Sequence, residues 1–497
     1  MADSGIENRV NEEQLRNSLT DERLKDFKNF KLVGKQWRSH HTVFDRVMLC
    51  LKGGEEVGVV VKQFVYPKRV GDPFYSLIHD PFFLYTKEKT NLKLISEISS
   101  KDKIDHPFEV QLVPVMYGYH DGLRMILTED LGKPNMNKHL LSKEKKQREE
   151  LFEKGIKIIG RFGGVCNRYQ SELDAGGDYK ERINSQEKYM LAIQAENLLR
   201  LYYLIHPECR DKVKEYDSGE VRRFLEEKGS NLESKLKDIS IRRKEGLQEE
   251  LKLQHNDCNG INIVKGRLID MEDFGYSSWT SDISSYCIIV GLGNNALLRD
   301  DQFAHCRHLF LAYEQICRYP ESSSVSRRKI SKLDNGDLSR FIREEVFKNN
   351  EQRYADWTFS FFANAIDKNI QLAATFGRYD DLKSDNGTVN ALDTGILAYI
   401  AELFSTVAKI DDKIFMCSNP KGVREFFCAY GNLLLDLGIY PENSREKPQL
   451  ENSITSIDRG VIADSVKKYW VFSPISSSSA LSSLPAPSAP GDIPEKA

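Results

Sequence analysis

The chain has no C-x-x-C pair, no apolar run approaching the length of a membrane span and no excess of either charge. Each absence excludes a class of protein. The nine cysteines (Cys50, Cys166, Cys209, Cys258, Cys287, Cys306, Cys317, Cys417 and Cys428) are odd in number and scattered. That pattern argues against a disulfide framework or a zinc site and reads as reduced thiols in a cytoplasmic protein. No transmembrane span is expected. The start, MADSGIENRVNEEQ, is acidic and polar without an apolar core, so it does not read as a secretory signal. With 71 Lys and Arg against 74 Asp and Glu, the net charge of −3 offers no polyanion-binding character, and no nucleic-acid partner is expected.

What remains is an ordinary globular composition, 40% hydrophobic and 29% charged, spread over 497 residues. A chain of this length favours two domains. Residues 1–26 read as a charged lead-in that could be helical. Strand signals follow in FKNFKLV (27–33), RVMLCL (46–51) and VGVVVKQFV (57–65), with a Lys-Gly-Gly-Glu turn at 52–55 between the last two. FFLYTKEKTNLKLISEI (82–98) has helical spacing, and EVQLVPVMYGYH (109–120) and LRMILTEDL (123–131) read as strands joined at Asp121-Gly122. From about 140 onward long helical patterns dominate, in KEKKQREELFEKGIKIIGRFGGVCNRYQSEL, SQEKYMLAIQAENLLRLYYLI and EVRRFLEEKGSNLESKLKDI. The Ser/Pro-rich end, FSPISSSSALSSLPAPSAPGDIPEKA, cannot bury a core and is expected to be disordered.

The chemistry concentrates in HNDCNGINIVKGRLIDMEDFG, residues 255–275. INIVKGRLID reads as two short strands around Lys265-Gly266, which places Ile269 or Asp270 opposite Asn262. Oxygen ligands on adjacent strand ends, with Asp257 five residues upstream of Asn262, suit a hard cation together with an activated hydroxyl. Asp273 is expected about 10 Å beyond Asp270 if the strand continues.

The string His255-x-Asp257-x-x-x-x-Asn262, followed by Ile269-Asp270-Met271-Glu272 and Asp282-Ile283, resembles the catalytic loop and metal segment of the aminoglycoside phosphotransferase and choline kinase family. The resemblance implies an α+β, protein-kinase-like two-lobed fold, with a small antiparallel sheet and one helix in the N-lobe and a large helical C-lobe. It implies Asp257 as catalytic base, Asn262 and Asp270 as Mg²⁺ ligands, and His255 and Asp282 as supports of the loop. Upstream, Lys62 after Val59-Val60-Val61 resembles the lysine that meets the ATP phosphates, and Glu88 in E-x-x-x-L-x-x-I its ion-pair partner, with Glu97 as an alternative. MILTEDLG (125–132) resembles the hinge, whose Thr128, Glu129 and Asp130 backbone groups would meet adenine. Domain boundaries on this reading are 1–26, 27–132 for the nucleotide-binding lobe, 133–445 for the helical lobe with its catalytic loop 255–262 and metal segment 268–273, and 446–497 for a tail disordered from about 473.

Departures from the family pattern shape the alternatives. The expected phosphate-covering loop, GKQWRSHHTVFDRV (34–47), has one glycine and no G-x-G-x-x-G, although Ser39 or Thr42 could cap phosphates. The expected activity is ATP- and Mg²⁺-dependent phosphorylation of a small-molecule hydroxyl, the alternative being a non-catalytic kinase-like binding or regulatory protein. The literal Asp273-Phe274-Gly275 suggests a protein kinase. Only eleven residues lie between Asp270 and Asp282, however, leaving no room for a long activation segment. Glu272, Asp273, Tyr276 and Trp279 offer acidic and aromatic contacts to an aminated acceptor, while Tyr276 and Trp279 equally suit packing under the following helix.

Overall fold

The computed structural model describes residues 9–38, 42–65, 80–105, 111–132, 135–141, 144–170, 194, 197, 198, 201, 218–292, 300–321, 330, 332–376, 388–410, 416–440, 442 and 444–459. Ser39, Cys209, nearly all of the SQEKYMLAIQAENLLRLYYLI pattern and the tail from 460 lie outside the described residues. The chain is α+β and divides into two compact units. Described residues 9–138 with Ile261–Phe274 form the first, and 139–260 with those from Gly275 onward form the second.

The first unit is built on an antiparallel sheet. Its strands are β1 (Phe27–Leu32), β2 (Trp37–Arg38), β3 (Thr42–Leu51), β4 (Glu56–Phe64), β5 (Met116–His120) and β6 (Met125–Glu129). They run in the order β1-β3-β4-β6-β5, with β2 added on β3. The two-residue period of β4 sends Val59 and Val61 to one face, where they join Val47, Leu49, Met125 and Leu127 in a buried cluster. Burying each of these side chains contributes roughly 1.5–3 kcal/mol. Lys62 and Phe64 share the other face with helix Pro81–Asp105, where the Phe64 and Tyr85 rings meet edge-on at 6.0 Å.

The lead-in is part of this unit. Asn11 and Gln14 form a reciprocal capping box that starts helix Glu12–Ser18, and Val10, Leu15, Leu19 and Leu24 fill the core cluster under β3, β4 and β6. Leu19 bridges to Gly118 of β5, where a Cβ would stand 2.1 Å from the Ser18 carbonyl oxygen, so only glycine permits this approach. Two strand expectations change. Pro114 lies inside the run 109–120 and β5 starts only at Met116, because proline cannot supply a ladder donor. The run 46–51 extends back to Thr42, which pairs with Phe64 and is buried; Thr42 is therefore a sheet residue rather than part of a phosphate-covering loop.

Residues 261–274, expected with the helical region, pack with the sheet. β8 (Ile263–Val264) and β9 (Arg267–Leu268) form the expected hairpin around Lys265 and Gly266, whose φ values of 48° and 80° are those of a type I′ turn. Leu268 N donates to Leu112 O at 2.9 Å, Arg267 pairs with Glu129, and Asn91 Nδ2 donates to Met271 O at 2.8 Å.

The second unit is mainly helical, with long helices at Lys145–Arg168, Ser218–Leu247, Asp300–Arg318, Glu351–Phe376, Thr388–Lys409, Pro420–Asp436 and Glu446–Arg459. The last of these falls within the segment expected to be tail and buries Leu450, Ile454 and Ile457. A short antiparallel ribbon, β7 (Leu251–Gln254) with β10 (Gly275–Ser278), carries the residues that flank the catalytic-loop motif. No described helix is long and apolar enough to cross a membrane.

Candidate active site

In the sheet unit, Lys62 gathers three carboxylates. Its Nζ lies 2.5 Å from Glu88 Oε2, 2.5 Å from Asp270 Oδ1 and 3.9 Å from Glu272 Oε2. Strand β4 fixes the lysine, the helix Pro81–Asp105 fixes Glu88, and the turn after β9 delivers Asp270 and Glu272. Glu88, not Glu97, is therefore the partner. Lys62 and Glu88 are both nearly buried, because the helix covers this face of the sheet.

The electrostatics of the cluster are unbalanced. Burial alone would lower the Lys62 pKa, but Asp270, Glu88 and Glu272 outweigh it and hold the ammonium well above its usual range. The Glu88 carboxyl is pushed up to about 7, first by burial and then by Asp270 and Glu272, against the pull of Lys62. The neighbouring carboxylates raise both groups: they favour the charged form of Lys62 and, after burial, disfavour the charged form of Glu88.

Asp270 adopts left-handed backbone, φ 65°, a conformation that Asp tolerates better than most residues and that recurs at functional sites. That reversal ends the strand direction, and Met271–Asp273 coil into a 3₁₀ turn. Asp273 is consequently not 10 Å further along an extended strand. It sits in the turn with Lys87 Nζ at 3.8 Å, on the side of helix Pro81–Asp105. Asn262 is buried, and its carbonyl accepts from Ile269 N at 3.0 Å, which sets Asn262 across the hairpin from the residue preceding Asp270, as the hairpin spacing predicts.

Glu88, Asp270 and Glu272 place carboxylate oxygens within 4.8 Å of one another, all-oxygen donors of the kind a hard cation takes, with the Lys62 ammonium already against Glu88 and Asp270.

The hinge expectation meets a full sheet. Thr128 pairs with Val60 on one side and Met116 on the other, Glu129 N donates to Val115 O at 2.8 Å, and Asp130 N donates to Gly58 O at 3.0 Å. These amides already have acceptors. The side chains are engaged too, Glu129 with Arg267 and Asp130 with Arg46.

In the helical unit, the loop that carries Asp257 is held from behind by one buried carboxylate. Asp282, in the first turn of helix Ser281–Tyr286, accepts from His255 N at 2.8 Å and Asn256 N at 2.7 Å. Burial lifts the Asp282 carboxyl above the usual range against the pull of His255 and these two amides. His255 Nδ1 accepts from Asp257 N at 3.2 Å, and its ring meets Phe162 edge-on. His255 and Asp282 thus hold the backbone of the loop that carries Asp257. Asp257 itself is half-buried and accepts from Asn259 Nδ2 at 3.2 Å.

Three further residues shape this loop without any local signal in the sequence. Asn256 takes left-handed backbone, φ 69°, and its carbonyl accepts from the buried Lys368 Nζ at 2.8 Å. Asn167, on helix Lys145–Arg168, clamps β7 by accepting from Leu253 N at 2.9 Å and donating to Leu253 O at 3.2 Å. Lys368 and Asn167 lie 112 and 86 residues from their partners, so only the fold could reveal them.

Tyr276 and Trp279 are both buried. Trp279 donates through Nε1 to Glu314, and its ring has Lys252 Nζ 2.9 Å and Arg353 5.4 Å from its centroid. Protein cations, rather than open space, therefore occupy its π surface. His308 Nε2 meets Tyr354 Oη at 3.1 Å, and His305 Nδ1 meets Asn335 Oδ1 at 2.8 Å.

Asp282→Asn places an amide group where two backbone N–H groups need acceptors. It is expected to destabilise the protein by about 1.5–3 kcal/mol, the range for a hydrogen bond to a charged group. Thermal denaturation reads the loss, and any turnover should fall in kcat while the KM for nucleotide holds. Comparison with family models and with curated proteins gives no match for this chain.

Proposed function

We propose that the protein is an ATP- and Mg²⁺-dependent phosphotransferase acting on a hydroxyl of a small molecule. The observation that carries the reading is the contact of Lys62 with both Glu88 and Asp270, residues 26 and 208 positions away that the motif pattern selects independently. The pinned loop around Asp257 supports it.

On this reading Lys62 binds and orients the α- and β-phosphates, and Glu88 keeps its ammonium in place. Asn262 and Asp270 would hold Mg²⁺, which when bound neutralises phosphate charge. Asp257 accepts the hydrogen bond of the acceptor hydroxyl, orients it for in-line attack on the γ-phosphorus and takes its proton. Asp282 and His255 fix the direction of Asp257. The segment 125–132 would meet adenine, and within it the Leu131 amide, unlike those of Glu129 and Asp130, makes no backbone hydrogen bond among the described residues. The short Met271–Asp273 turn leads directly into β10, which favours a small-molecule acceptor over a polypeptide.

A second reading, a kinase-like binding protein without turnover, draws on the sheet-engaged amides of Glu129 and Asp130 and on the Trp37–Arg38 strand within the glycine-poor loop. One experiment separates the two. Mg-ATP should raise the melting temperature, and labelled ATP offered with amino alcohols, sugars, nucleosides and aminoglycosides should give a labelled product. A shift without transfer favours the binding protein, and neither shift nor transfer removes both.

A further inference from the structure

Helix Glu351–Phe376 turns one face toward the loop that carries Asp257. Asn364, Lys368 and Gln371 recur at helical spacing and share that face. Asn364 Nδ2 donates at 2.7 Å to Oγ1 of Thr280, the N-cap residue of the helix that bears Asp282, and Lys368 Nζ donates at 2.8 Å to Asn256 O. One face thus reaches both the loop and its anchor.

The Lys368 bond falls on the peptide unit that sets the direction of Asp257. Asn256 O and Asp257 N belong to a single planar group, so a partner at either end resists its rotation. Asp257 N donates to His255 Nδ1 at 3.2 Å, and Lys368 holds the opposite end. The segment needs holding, because Asn256 has left-handed backbone, φ 69°, which persists only where its surroundings impose it. An ammonium is a costly group for this task. Lys368 is 6% exposed, and among the described residues its acceptors, Asn256 O and Gln371 Oε1 at 3.0 Å, are both neutral. A buried ammonium without a carboxylate partner loses hydration that neutral oxygens replace only in part. Charge nearby accounts for it. The buried Cys258 thiol is pushed up by burial, Asp282 and Asp257 and pulled down by Lys368, so the ammonium and the Asp257 carboxylate act on one neighbourhood.

We propose that Lys368 is a positioning residue for phosphoryl transfer, which fixes the peptide before Asp257 and so aims the Asp257 carboxylate at the acceptor hydroxyl. The proposal rests on the reading of Asp257 as the base. It adds a clamp that comes from a distant helix and carries a charge. A lysine that served the fold alone would lower stability when replaced and leave the kcat of the folded protein unchanged.

The test compares full-length Lys368→Met and Lys368→Arg with the parent in two readouts. Methionine keeps the apolar stem and removes the donor. Hydrogen exchange at the Asp257 amide reads the peptide directly and needs no substrate. In Lys368→Met it should quicken roughly ten- to hundredfold, the effect of one hydrogen bond to a charged group, beyond any change shared by the amides of helix Asp300–Arg318. With the acceptor found by the labelled-ATP screen, kcat should fall roughly ten- to hundredfold, the scale of a misaimed catalytic group. The KM for Mg-ATP should hold, because the substitution touches neither Lys62 nor Asp270. Lys368→Arg keeps the charge and the donors and should recover part of both losses. The proposal is overturned by parental exchange at Asp257 in Lys368→Met, by a parental kcat, or by a loss confined to KM. If Lys368→Met does not fold, Gln371→Leu removes the neutral brace of the ammonium at a half-buried position and decides by the same exchange: a faster Asp257 amide supports the proposal and an unchanged one overturns it. Quickened exchange in Lys368→Met with no transfer by the parent to any acceptor overturns the phosphotransferase reading and leaves the Lys368 clamp standing.

Discussion

Asp257→Asn is expected to reduce phosphoryl transfer by roughly 10²–10⁴-fold, the usual contribution of a positioned general base. The substitution keeps shape and size, so the Asp257 amide can still donate to His255 Nδ1 and the loop should hold its course. What is lost, on the phosphotransferase reading, is the negative charge that would orient the acceptor hydroxyl and take its proton. Lys62, Glu88, Asn262 and Asp270 belong to the other compact unit. The Mg-ATP-induced rise in melting temperature should therefore persist in Asp257→Asn. Near-parental turnover in this variant would remove Asp257 from the mechanism. Loss of both turnover and the nucleotide shift would mean that the substitution acts on the fold.

Lys62→Met carries the largest expected effect on stability. Methionine fills the lysine volume but removes the ammonium that contacts Glu88 and Asp270, whose oxygens lie with those of Glu272 within 4.8 Å of one another. Removing one partner of a buried ion pair costs roughly 3–5 kcal/mol, because the other charge stays buried without compensation. The pH dependence has a definite sign. The Glu88 pKa is raised from 4.5 to about 7 in the folded protein, so the folded form binds its proton more readily than the unfolded chain. Its contribution to stability is fully present below about pH 4.5 and lost as pH rises through about 7. Without Lys62 the carboxylates should resist ionisation further. The deficit of Lys62→Met against the parent should thus be greatest above pH 7 and shrink as pH falls toward 5. Denaturant unfolding across that range measures it, and a deficit independent of pH would show that the Lys62 cluster is not the cause.

Much of the fold was legible because its signals are local. The hairpin at Lys265-Gly266 follows from a two-residue turn between apolar pairs, and β4 and the helix Pro81–Asp105 follow from two-residue and 3.6-residue periods. The lead-in is less legible because its charges hide a sparse apolar pattern. Val10, Leu15, Leu19 and Leu24 are only four residues in fifteen, yet all four are buried. The Asn11-x-x-Gln14 capping box was the signal that could have located its helix. Asp273 departs from the extended-strand expectation because Asp270 turns left-handed, and no single-residue propensity demands that turn.

The sequence by itself determined which side chains are chemically able to act, since the order His255, Asp257, Asn262, Asp270 and the local periodicities are written along the chain. Only the tertiary structure decided their surroundings. Lys62 is buried rather than solvated because a helix covers its face of the sheet, and Glu88 rather than Glu97 meets it because that helix has one facing turn. Residues 261–274 belong with the sheet because Leu112, Glu129 and Asn91 supply their partners. Trp279 is enclosed by protein cations because Lys252 and Arg353 reach it from other elements. Each of these depends on contacts between residues distant along the chain, and such contacts arise from packing, which local sequence patterns do not encode.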